Sequence, residues 1–167
     1  MFLIENTSQP RRWLYWMTVS VTTLSLLTLG LPMAPASANS YGKCVQELLD
    51  TGVSDFNAAN ACAGALHPAD LSGCVRRINR NSDIAGMDAL SACTRVRRPL
   101  DLAHCVNKLV DQMDGVESLS VLEGCRRSLL PKRYAECVTG LRGKIEGANV
   151  GRLLQTCLDP QDILSQG

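Results

Sequence analysis

The feature that most constrains this chain is the spacing of its eight cysteines. Cys44, Cys62, Cys74, Cys93, Cys105, Cys125, Cys137 and Cys157 are separated by alternating long and short gaps, which add up to a period of 30–32 residues. Other residues keep the same period. Pro68, Pro99 and Pro131 lie midway across the short gaps, and a valine follows each odd-numbered cysteine (Val45, Val75, Val106, Val138). Tyr41, Leu71, Leu102 and Tyr134 precede those cysteines by three residues, and Leu48, Ile78, Leu109 and Leu141 follow by four. Four copies agreeing at so many positions are the signature of a repeat architecture, in which each unit buries its apolar face against its neighbours.

Each copy reads as two helices. Around the first cysteine, apolar residues at −3, 0, +1 and +4 form one helical stripe. Before the second come Ala58-Ala59, Ala89-Leu90, Val121-Leu122 or Leu153-Leu154, which again put the cysteine on an apolar helix face. Between the two helices stand Gly52, Asp83, Gly115 and Gly147, residues that tolerate a tight turn. Small apolar residues follow: Val53, Ile84, Val116 and Ala148. The prolines separate the copies, where they open a following helix but cannot continue a preceding one. No segment alternates with period two.

The expected fold is therefore all-α: four tandem disulfide-stapled helical hairpins stacked as a short α-solenoid. The repeats cover about 41–67, 68–98, 99–130 and 131–159, with a partial cap at 160–167. A hairpin folded at its tip brings its two cysteines face to face, which favours the pairs 44–62, 74–93, 105–125 and 137–157. The rival scheme across the prolines (62–74, 93–105, 125–137) strands Cys44 and Cys157. Closing each loop of about twenty residues contributes roughly 3 kcal/mol on the chain-entropy view, enough to make short helices viable units. The period is similar to that of tetratricopeptide arrays, whose tryptophan, glycine and tyrosine signature these copies lack.

Residues 1–38 have a different character. Arg11-Arg12 precede an apolar run from Trp13 to Leu31, and Ala36-Ser37-Ala38 completes an A-x-A site. Basic, apolar and small-residue regions in that order predict a signal peptide cleaved near Ala38. The expected location is secreted, or periplasmic or lumenal, an oxidising compartment that suits disulfides.

Little in the sequence points to chemistry. Structural zinc and thiol redox sites both use C-x-x-C spacing, and no two cysteines here are closer than twelve residues. His104 adjoins Cys105, but neighbours along a helix do not face each other. No G-x-S-x-G, P-loop or dinucleotide fingerprint occurs. The reading is of a protein without catalytic, cofactor-binding or metal-binding residues.

Charge is more informative. The formal net charge of +1 is far from that of a nucleic-acid-binding domain. Basic residues nevertheless gather around the proline segments: Arg95, Arg97, Arg98, Arg126, Arg127, Lys132 and Arg133, with Arg76, Arg77 and Arg80 nearby. Acidic residues gather at the hairpin tips: Asp50, Asp55, Asp83, Asp111, Asp114, Glu117 and Glu146. Part of this pattern complements the helix dipoles. The functional expectation is a non-catalytic protein-binding or scaffold module whose basic edge docks another, acidic protein. The alternatives are a carrier holding a lipid or other apolar ligand between helices, and docking of the basic edge on an anionic membrane surface.

Overall fold

The computed structural model describes residues 40–113 and 115–159. The expected leader at 1–38, the expected cap at 160–167 and Asp114 lie outside the described residues. Eight helices, and no strand, occur among the described residues. They are α1 (Ser40–Leu49), α2 (Asp55–Gly64), α3 (Pro68–Asn81), α4 (Gly86–Cys93), α5 (Pro99–Gln112), α6 (Ser118–Arg127), α7 (Pro131–Arg142) and α8 (Val150–Leu158). Consecutive pairs form four hairpins. Disulfides join Cys44 to Cys62, Cys74 to Cys93, Cys105 to Cys125 and Cys137 to Cys157, so each links the two helices of one hairpin.

Local chemistry explains the boundaries. Pro68, Pro99 and Pro131 each open a helix, where the missing N–H has no intrahelical partner to lose. At three tips Gly52, Gly115 and Gly147 adopt positive φ (82°, 75° and 69°), the left-handed conformation that costs glycine nothing. The second hairpin closes without such a glycine. There the Ser82 hydroxyl donates to the Ile78 carbonyl and accepts from the Ile84 N–H, while the Asn79 amide donates to the Ile84 carbonyl. A side-chain bond to the helix-end carbonyl of Ile78 and two to the backbone of Ile84 in the turn thus replace the left-handed residue.

The hairpins pack in chain order. Helix α1 lies against α3, α3 against α5 and α5 against α7; in the second row α4 lies against α6 and α6 against α8. Polar links reinforce the first row. Glu47 of α1 accepts from Ser72 (2.6 Å) and pairs with Arg76 (3.1 Å), both on α3, and Lys132 of α7 pairs with Asp101 of α5 at 2.8 Å. Helix α2 instead meets α1 and α3, leaving a groove of about 350 Å³ between it and α4.

The core runs continuously through the copies and is built largely from Leu, Val, Ile, Ala and cystine. The ends of the series show which way each residue faces. Val75, Val106 and Val138 are fully buried, whereas Val45 of the first copy is only partly so. Tyr41, likewise, is half exposed where Leu71, Leu102 and Tyr134 are covered. Positions −3 and +1 therefore face the preceding copy, which the first copy lacks. The first six cysteines are buried, but Cys137 is exposed and Cys157 only partly covered. Each disulfide faces the following copy, and the fourth has none among the described residues.

Candidate functional site

Alternation of helix direction fixes two opposite edges. The segments joining copies, at 65–67, 94–98 and 128–130, lie where second helices end and first helices begin. The hairpin tips lie at the other end.

The joining edge carries the basic residues expected there. Arg95, Arg97, Arg98, Arg127, Lys132 and Arg133 are exposed and Arg126 is partly buried. Several are neutralised locally. Arg126 forms a two-pronged pair with Glu123 (2.8 and 2.6 Å), a bond that holds the Glu123 carboxyl below its ordinary pKa with help from the charges of Arg127 and Arg95. Asp101 is shared by Arg98 (3.7 Å) and Lys132 (2.8 Å). Arg95, Arg97, Arg127 and Arg133 form no ion pair among the described residues, which leaves them available to an external anion. The other arginines are placed differently. Arg76 is engaged by Glu47, and Arg80 sits in the last turn of α3, at the tip edge. His67 stands at the N-cap position of α3, where its side chain makes no capping hydrogen bond, and His104 lies on α5; both are exposed.

Asp50, Asp55, Asp83, Asp111, Glu117 and Glu146 are all exposed along the tip edge, and Asp88 in the first turn of α4 joins them. Asp55 and Asp88 stand at helix N-termini, where the dipole favours an anion. The acidity belongs to the first three copies. In the fourth, Arg142, Lys144 and Arg152 accompany Glu146.

Both edges also expose large apolar side chains that the cysteine-centred pattern does not single out. On the joining edge Leu66 and Leu129 are each 94% exposed, and Leu130, next to Leu129, is exposed as well. On the tip edge Phe56 (76% exposed), Met87 and Leu119 occupy one repeat position, six residues before the second cysteine in copies one to three. The signal was present in the period: a large apolar residue recurs there outside the buried i, i+3, i+4, i+7 stripe. Copy four has Gly151 at that position.

A larger groove of about 940 Å³ runs beside the first two joining segments, with Ala61, Leu66, Leu71, Val96 and Leu100 among its lining and Arg97 and Arg98 at its side. Asp70 and Asp101 also line it. Every cysteine is in a disulfide, so no thiol is offered as nucleophile or ligand. Among the described residues, no three His, Cys, Asp or Glu side chains gather as a metal cluster, and no helix is long and apolar enough to cross a membrane. The four disulfides suit an oxidising compartment. Comparison of the chain with protein-family models, with curated proteins and with solved structures gives no match.

Proposed function

We propose that this protein is a secreted, non-catalytic binding or scaffold module, a short α-solenoid that docks an acidic protein partner along its joining edge. The observation that carries this reading is the set of exposed arginines that form no ion pair among the described residues, Arg95, Arg97, Arg127 and Arg133, on the same edge as Leu66 and Leu129. Repeat arrays offer extended surfaces assembled from equivalent positions of successive units. An exposed arginine cluster attracts anionic partners over about a Debye length. Exposed leucines at the same edge supply apolar contact area once the partner arrives.

The test is capture from the protein's own compartment and on a resin bearing an acidic peptide. Wild-type protein should be retained at low salt and released as salt rises, and R95E/R97E should lose retention. Retention that ignores both salt and this variant refutes the reading. A second reading rests on the 940 Å³ groove, a volume within the range of small-ligand pockets. As a carrier, the protein would co-purify with an apolar molecule visible by native mass spectrometry.

A further inference from the structure

The two edges are complementary to one another. One is basic and carries protruding leucines; the other is acidic in copies one to three and carries the row Phe56, Met87 and Leu119. We infer that the partner of the joining edge is the tip edge of a second copy of this chain, so that molecules associate head to tail. The inference rests on the proposed role of the joining edge as a binding surface, and it adds the identity of what binds there.

Three observations point to a second copy rather than to an unrelated protein. The first is charge. Arg95, Arg97, Arg127 and Arg133 form no ion pair among the described residues, and the tips of copies one to three present Asp50, Asp55, Asp83, Asp88, Asp111 and Glu117 against Arg80 in the last turn of α3. The second is recurrence. Basic joining segments and acidic tips come from the same repeating hairpin, so each kind of segment recurs along the chain with the period of 30–32 residues. The third is apolar matching: a leucine 94% exposed on one edge finds on the other a phenylalanine 76% exposed, both better covered than left in water. In copy four the tip carries Arg142, Lys144 and Arg152, and the apolar row stops. The acidity thus stops at copy three, and the exposed apolar side chain of the copy-four tip is Ile145 (49% exposed), at a different repeat position.

Such an interface joins two different patches. It is heterologous, and it builds open chains or rings rather than a closed twofold dimer.

Sedimentation velocity on the protein as its own cell produces it tests this. At about 10 mM salt, where charges act over about 30 Å, mass should grow with concentration, and at about 1 M salt it should fall to that of a monomer. R95E/R97E, which reverses the joining edge, and D55K/E117K, which reverses the tip edge, should each weaken association by about tenfold or more. Mixed in equal amounts the two variants should associate again, because each then meets an edge of opposite sign. Recovery on mixing also shows that both variants are folded. F56S should weaken association without changing its salt dependence. A wild-type protein that stays monomeric at low salt overturns the inference, as does a mixture no more associated than its components. The proposed role of the joining edge is tested separately: a monomeric protein that still binds the acidic-peptide resin, and loses binding in R95E/R97E, retains that role while refuting self-association.

Discussion

The contact between copies three and four gives a quantitative test of how these hairpins fit together. Gly124 lies inside α6, one residue before Cys125, where the other copies have Ala61, Ala92 and Thr156. A Cβ built there falls within contact distance of the Tyr134 hydroxyl and 3.1 Å from its Cζ. The ring is held on both sides. Tyr134 is 3% exposed, and its hydroxyl donates to the Leu154 carbonyl of α8 at 3.1 Å. The G124A substitution therefore overpacks a rigid site, at about 1–3 kcal/mol, and threatens a hydrogen bond of about 1 kcal/mol. Against this stands the helix propensity gained by replacing glycine, about 1 kcal/mol. The expected net effect is destabilisation by about 1–3 kcal/mol.

Removing the hydroxyl changes the balance. Y134F alone should cost about 1 kcal/mol for the lost bond. In that background the obstruction at 124 shrinks to Cζ, which clears with a shift of a few tenths of an ångström, so adding G124A should be close to neutral. Urea unfolding of the four proteins with disulfides intact closes a double-mutant cycle, and the expected coupling is about 1–3 kcal/mol in favour of the double variant. Additivity within about 0.5 kcal/mol, or a G124A protein more stable than wild type, would refute the account of why glycine stands at this position.

Other consequences follow from the same geometry. Mild reduction followed by alkylation and mass mapping should label Cys137 and Cys157 before the other six, since access governs thiol–disulfide exchange and only the fourth disulfide is open to solvent. Burial pushes the Tyr134 phenol up to about 12, against the opposing charge of Arg127, so the folded chain keeps a proton that the unfolded chain releases near pH 10. Stability from this group is thus complete below about pH 10 and lost by about 2–3 kcal/mol as pH rises to about 12; a tyrosinate absorbance titration without a late component contradicts it. G86A should destabilise by about 2 kcal/mol in thermal or urea unfolding, because a Cβ there meets the Thr51 carbonyl oxygen, and backbone does not yield as a flexible side-chain tip does. T51S should give no rescue, since it keeps that carbonyl.

Much of the architecture was legible in the chain because its signals are local and repeated. Proline fixes where a helix starts, glycine where it turns, and helical periodicity which face carries cysteine; none of these depends on distant residues. Repetition then amplified each weak signal three- or fourfold, which is why the hairpins could be read from a single sequence. The tip at Asp83 shows the limit: the residue standing where the other copies have glycine was visible, but the bonds from Ser82 and Asn79 that replace glycine's role appear only in three dimensions.

The sequence by itself determined the all-helical class, the hairpin unit, its count and the placement of acidic residues at the tips of copies one to three and basic residues around the joining segments, since all of these follow from spacing along the chain. Only the tertiary structure decided which charges are free. Arg126, Arg98 and Lys132 are drawn to Glu123 and Asp101, Arg76 is taken up by Glu47 on another helix, and Arg95, Arg97, Arg127 and Arg133 form no ion pair among the described residues. It alone decided that Phe56, Met87 and Leu119 stay in water while Val75, Val106 and Val138 do not, and that the fourth disulfide is open where the first three are sealed. Arg126–Glu123 and Arg98–Asp101 are local i,i+3 pairs, but the pairing of Arg76 and Lys132 and the burial of the valines depend on what a neighbouring copy supplies, and a residue's own copy does not contain that information.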